Sequence, residues 1–233
     1  MNRKQSNTLE TVLSADDFCA FDDVTGAYPL HIDAVYADAN HPRNIFQTAL
    51  YRSDAKIWCH KDLFKITLKA AELCYQQSGL LFEIKDALRP IEAQQKMQDT
   101  PIVKANPQWC APPLNLLSRP GEGGHPRGMA VDIILIDQNG DAVDMGTPFD
   151  FFTEDPHDNP AARNFTGFAP DILERRTCLE QSMIMAAQEQ EYDILPLPQE
   201  WWDFRFYPKL IKTFAPMSDH DLPKDMKIVN FGK

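Results

Sequence analysis

The stretch EGGHPRGMAVDIILI, residues 122–136, joins a glycine-rich turn to an unbroken apolar run, and the rest of the chain is best read outward from it. Val131, Ile133, Ile134, Leu135 and Ile136 are branched apolar residues suited to a buried strand, and QNGD at 138–141 closes that strand with a turn. His125 and Asp132 stand on either side of the turn made by Pro126, Arg127 and Gly128. Gly128 allows the chain to fold back, and strand side chains alternate, so Ala130 and Asp132 share a face. A hairpin-like return of this kind can bring an imidazole and a carboxylate to one metal ion, a mixture that zinc accepts. The alternative is a histidine and an aspartate joined by an ordinary hydrogen bond at a loop.

On the N-terminal side, Leu63, Ile66, Ala70, Leu73 and Cys74 recur at spacings of three and four, and Gly79 follows as a stop signal; the pattern predicts a helix over 63–77. LLFEIKDAL, 80–88, reads as a short strand running into a turn at Arg89 and Pro90. Residues 99–124 carry five prolines and end in glycines and serines, as expected of a long ordered loop or lid. On the C-terminal side a second helix is expected over 171–191, with Ile172, Leu179, Met183 and Ala187 on one stripe. PLPQEWWDFRFYP, 196–208, reads as a strand bracketed by prolines, on which Trp201 and Trp202 point to opposite faces. Helices and strands mix without a regular βαβ alternation, which points to an α+β domain. Residues 1–18 are polar and expected to form a loose arm, leaving 19–233 as one domain.

Composition narrows the function. With 233 residues, 43% hydrophobic and 24% charged, the chain can build a sizeable core without staples. A formal charge of −11 repels phosphate backbones and anionic lipid, so nucleic-acid and membrane-surface binding are disfavoured and a small molecule or peptide is the expected partner. The cysteines at 19, 59, 74, 110 and 178 are odd in number and show no metal-knuckle spacing, consistent with buried reduced thiols. No stretch of signal-peptide or membrane-span character occurs, so the expected compartment is the cytoplasm.

GGHPRGMAVD matches the pattern SxHxxGxAxD at every position but the first, LRP occupies 88–90, MGTPFD 145–150, and EWWDF begins at Glu200. In that order, from about residue 25 to 210, these segments resemble the zinc D-alanyl-D-alanine dipeptidases of vancomycin-resistance type, within the wider DD-carboxypeptidase and hedgehog-like metallopeptidases. The resemblance implies a mainly antiparallel central sheet flanked by helices, and a cell-wall-related hydrolase that cuts a free dipeptide by metal-activated water. It implies a metal ion, zinc first, held by His125, Asp132 and Asp203, with Glu200 as general base and Arg89 beside the oxyanion. Asp150 is implied to meet the substrate ammonium group, and His157 falls where the family carries a serine–histidine pair. Each role is chemically reasonable by itself: an ion acidifies water, a carboxylate accepts its proton, and a cation neutralises the developing charge.

Two positions depart from the pattern: Gly123 replaces serine, and Asp203 replaces the third-ligand histidine of EWWHF. An aspartate oxygen and a histidine Nδ1 both lie one bond beyond Cγ, so Asp203 can reach an ion bound through Nδ1 in the family. Two carboxylates and one neutral imidazole bring a divalent ion to zero formal charge rather than plus one, and the harder ligands shift preference towards iron, manganese or cobalt without excluding zinc. Structural alternatives remain for each residue. Glu200 can be a solvated strand-edge acid, Arg89 a partner of Asp86, and Asp150 a turn cap. For the whole protein, the alternatives are a peptidase of other cell-wall fragments and a peptide-binding pseudoenzyme.

Overall fold

The structure, a computed structural model, describes residues 10–155 and 157–232. In chain order its strands and α-helices are β1 (Phe18–Ala20), β2 (Leu30–Ile32), β3 (Trp58–His60), α1 (Lys61–Ser78), β4 (Leu81–Asp86), α2 (Ile91–Asp99), α3 (Pro101–Ala105), β5 (Ala130–Ile136), α4 (Pro170–Glu189), β6 (Ile194–Pro196), β7 (Asp203–Phe206) and α5 (Pro208–Ile211). Five strands form one sheet in the order β2-β4-β5-β7-β6; β2 and β4 are parallel and every other pair is antiparallel. β1 and β3 form a separate antiparallel ribbon. The fold is therefore the α+β, mainly antiparallel single domain expected from the sequence.

β5 is buried along its whole length, as its branched apolar residues require, and it sits at the centre of the sheet. β4 pairs with β5 in one register as far as Ile84 and Ile133, and a bulge then sets Asp86, rather than Lys85, opposite Asp132. Lys85 is fully buried and ion-paired with Asp33 and Glu83. α1 and α4 pack along one another, with α1 also against β4 and α4 against β6. α1 begins where the His60 ring accepts a hydrogen bond from the Asp62 N–H, and it ends at Gly79, whose φ of +73° suits glycine. Where the two helices meet, the free thiols of Cys74 and Cys178 stand 3.5 Å apart.

Three expectations are corrected. The segment 99–124 is not all loop: α3 and a 3-10 turn at Pro107–Cys110 occupy its first half, preceded by an unanticipated α2 that starts directly after Pro90. EWW is not strand: Glu200 to Trp202 form a turn into β7, and both indoles are core, Trp201 donating to Thr147 Oγ1 at 2.8 Å and Trp202 packing on Phe149. Of the arm expected over 1–18, residues 1–9 lie outside the described residues. The remainder is docked: Thr11 exchanges backbone bonds with Thr213 and Ala215, and Leu13 is buried. Among the described residues, no helix is long and apolar enough to cross a membrane.

Leu179 is fully buried on α4, whereas Met185 on the same helix is 47% exposed. Leu179→Ala is expected to lower unfolding stability by about 2–5 kcal/mol through lost burial and a residual cavity. Met185→Ala should change it by only about 0.5 kcal/mol. Urea unfolding of both variants measures the contrast.

Candidate metal centre

Three aspartates meet across three neighbouring strands. Asp86 is the Cα partner of Asp132, and Asp132 is the partner of Asp203, so all three side chains rise from one face of the sheet. His125 reaches the same face from the turn before β5. Gly128 closes that turn at φ +60°, and a Cβ there would lie 2.9 Å from the Phe18 ring, so glycine is required both for the conformation and for the space. Arg127 fastens the turn by donating Nη1 to the carbonyls of Gly121 and Gly123 and Nε to that of Phe214. The His125 Nδ1 lies 2.8 Å from the Ala87 carbonyl, which can only accept; Nδ1 therefore carries a hydrogen and Nε2 is the nitrogen left to bind an ion. Nε2 faces Asp132 Oδ1 at 3.6 Å and Asp203 Oδ2 at 3.3 Å.

The charges around this row are unevenly matched. Asp86 accepts from the Tyr51 hydroxyl at 2.7 Å and from Arg89 Nε and Nη2 at 2.7 and 2.6 Å. Arg89 then lies over the Tyr36 ring and 3.6 Å from Asp132 Oδ2. Asp203 is gripped by a fork from Arg205, whose Nε donates to Oδ1 at 2.8 Å and Nη2 to Oδ2. Burial pushes the Asp203 carboxyl up, but the Arg205 charge and the bonds that Arg205 donates outweigh it and hold the group well below the usual carboxylate range. Asp132 has no such fork. Burial, followed by the charges of Asp203 and Asp86, pushes it well above its ordinary value, and its Oδ1 is buried with no hydrogen-bond partner.

Two further acids share the cleft. Glu200 is pushed up to about 8 by burial and then by the Asp203 charge, and its Oε1 is also buried without a partner. Asp150 accepts the Tyr36 hydroxyl on Oδ2 at 2.7 Å; burial raises it to about 7 against the lowering effect of that bond and of Arg89.

His125 Nε2 is spaced from Asp132 and from Asp203 as two ligands of one divalent ion are, although Asp203 is not in the set whose ligand atoms all lie within 4.8 Å of one another. Donors about 2.0–2.2 Å from one tetrahedral ion stand about 3.3–3.6 Å from each other, close to the two separations measured from His125 Nε2. An unpartnered carboxylate oxygen in a buried anionic cluster is costly unless a cation meets it. Asp86, His125 and Asp132 also lie within metal-binding reach of one another. Asp86, however, faces Nδ1, which donates to Ala87, rather than Nε2, and it accepts from both Tyr51 and Arg89, so it is better placed to hold Arg89 than an ion.

Residues 17–220 match the family described as D-ala-D-ala dipeptidase, Peptidase_M15. The chain belongs to this family. It is accordingly an enzyme of the metallopeptidase class. It is 28% identical over 191 residues to the D-alanyl-D-alanine dipeptidase of Escherichia coli (strain K12), covering 80% of this chain and 86% of that one. Among solved structures it is similar to the Serratia marcescens L-Ala D-Glu endopeptidase ChiX, with a TM-score of 0.37 and 15% identity over 65% of this chain and 82% of that one.

Of the residues singled out from the sequence, His125, Asp132, Asp203, Glu200, Arg89 and Asp150 all line one cleft. Arg89 is at once the partner of Asp86 and a cleft residue, so the two readings of it coexist. Glu200 is buried rather than a solvated edge acid. His157 is not part of the cleft: it is exposed on a turn closed by the Asp155 side chain on its own N–H. Gly123 has φ +83°, a conformation that strains serine. Sequence reading passed over Tyr36, for which no signal exists, and Arg205. Arg205 was accessible, because strand period two places residue 205 on the face of residue 203.

Asp150 generates a pH prediction. Unfolded aspartate ionises near pH 3.9, whereas folded Asp150 keeps its proton to about 7, so between those values the folded chain binds more protons and stability falls as pH rises. Asp150→Asn removes this contribution, worth about 1.4 kcal/mol per pH unit of the window, and asparagine tolerates the φ of +57° found there. Urea midpoints of chelator-treated protein at pH 5 and pH 8 should therefore differ less in the variant than in wild type.

Proposed function

We propose that the chain is a metal-dependent dipeptidase that hydrolyses a small free dipeptide, with D-alanyl-D-alanine the leading substrate. The observation that carries this reading is the pairing of His125 Nε2 with the orphaned, buried Asp132 Oδ1 at 3.6 Å, in the cleft that also holds the orphaned Glu200 Oε1. The substrate named for the E. coli relative supports the choice of dipeptide. His125, Asp132 and Asp203 would hold the ion, zinc first. When bound it supplies Lewis acidity, which polarises a peptide carbonyl and acidifies water.

The remaining steps belong to side chains. Glu200 takes a proton from the attacking water as its oxygen bonds to the peptide carbon, then returns the proton to the nitrogen as the C–N bond breaks, leaving two amino acids. A carboxyl group raised by burial to about 8 binds and releases a proton more evenly than an ordinary glutamate, as both transfers require. Arg89, fixed by Asp86, holds its positive charge where the carbonyl oxygen becomes negative. Asp150, with Oδ2 turned to Tyr36, offers Oδ1 to the ammonium group of a free dipeptide. A free dipeptide carries that charge next to the scissile bond, and the narrow, charged cleft suits it better than a long apolar chain.

Glu200→Gln preserves shape and removes the base. Hydrolysis is expected to fall by at least ~100-fold while metal content, read by elemental analysis, stays at the wild-type level. A panel of dipeptides of mixed stereochemistry should show turnover of D-alanyl-D-alanine by the wild type. Near-normal turnover in a folded, metal-loaded Glu200→Gln variant would remove the residue from the mechanism. A wild type that takes up no metal and cleaves no dipeptide would overturn the proposal.

A further inference from the structure

We infer that Arg205 and Asp203 act as one unit, the guanidinium fork on the carboxylate giving an oxygen ligand with the formal charge of a neutral histidine. This inference rests on the proposed ion at His125, Asp132 and Asp203. Arg205 is a positioning residue: it acts through the ligand side chain that it holds.

The geometry is specific. Arg205 lies two residues after Asp203 on β7, and its Nε and Nη2 take separate oxygens of that carboxylate. A carboxylate oxygen has a second lone pair, so Oδ2 can serve Nη2 and still face the ion position beside His125 Nε2, from which it is 3.3 Å. The fork also fixes the carboxylate plane, which a single point charge could not do. Counting Arg205 changes the electrostatics. His125, Asp132 and Asp203 alone sum to −2; with Arg205 they sum to −1, the value of a set with two histidines and one aspartate. The substitution of aspartate at 203 is thus offset two residues later on the same face of the same strand. Placing histidine at 203 while keeping Arg205 would leave a partly buried guanidinium, 14% exposed, without its carboxylate and beside the proposed divalent ion.

The test is a double-mutant cycle over Asp203→His and Arg205→Met, read by Zn2+ and Co2+ dissociation constants from chelator competition and by melting temperatures of metal-free protein. Asp203→His alone is expected to bind Zn2+ about tenfold or more weaker than wild type, because it strands the arginine. Adding Arg205→Met should restore affinity to within about threefold. In metal-free protein, Arg205→Met alone leaves a buried carboxylate unpaired and should lower the melting temperature by about 5 °C or more. The double variant should melt closer to wild type than either single variant. If Arg205→Met does not fold, Asp203→His against the double variant decides the question, since neither strands a carboxylate. Zn2+ binding by Asp203→His as tight as wild type, or additive melting shifts around the cycle, would overturn the inference. Should wild type bind neither ion, the metal reading fails and the metal-free melting temperatures alone judge the pair: non-additive shifts support it, and additive shifts sink it.

Discussion

Three carboxylates in register across β4, β5 and β7 are a strongly repulsive arrangement. Like charges directly opposite one another destabilise a sheet even at the surface, and here all three are nearly inaccessible to water. The flanking members each hold a guanidinium fork, Arg89 on Asp86 and Arg205 on Asp203. The middle member has a 3.6 Å approach from Arg89 on one oxygen and, on the other, the His125 Nε2 at 3.6 Å but no hydrogen bond. Positive charge is therefore supplied at both ends of the row and withheld at its centre, opposite the one imidazole nitrogen free to coordinate.

The fold keeps this arrangement from relaxing. Asp132 cannot turn away, because β5 is paired on both sides and buried throughout. The His125 turn is held by Arg127 and by the close approach of Phe18 to Gly128, and its ring is fixed through Ala87. Arg89 is caught between Asp86 and the Tyr36 face. Tyr36 reaches the site from the segment after β2 and meets Asp150, so distant parts of the chain hold the same few charges. Electrostatic preorganisation of this kind is the main way a rigid site lowers a barrier, since its dipoles need not reorient during the reaction.

Much of this was legible in the residues. The three-and-four spacing of Leu63, Ile66, Ala70 and Cys74 marks α1, and the branched run after Asp132 marks β5, because burial imposes those patterns directly. His125 and Asp132 could be paired from strand alternation and one glycine. The turn at Glu200 to Trp202 was hidden, because two tryptophans beside a strand-like run look like strand, and only their packing against Thr147 and Phe149 says otherwise. Tyr36 was hidden for a different reason: its role exists only through a contact 114 positions away. Arg205 lies within reach of the alternation rule, which puts it on the face of Asp203, but the letters alone do not say that its guanidinium takes that carboxylate rather than solvent.

The bulge in β4 ties the chemistry to a count of residues. Were β4 to keep the register established at Ile84 and Ile133 without bulging, Lys85 would stand opposite Asp132 and deliver an ammonium group to the centre of the acidic row. A lysine there would neutralise the cluster internally and leave nothing for an external ion to do. The bulge at Lys85, rather than the residue types present, thus separates an ion-accepting cleft from a self-sealed one. The same six letters in β4, paired without the bulge, would give a sheet with the same apolar pairing up to Ile84 and Ile133 and no place for an external cation.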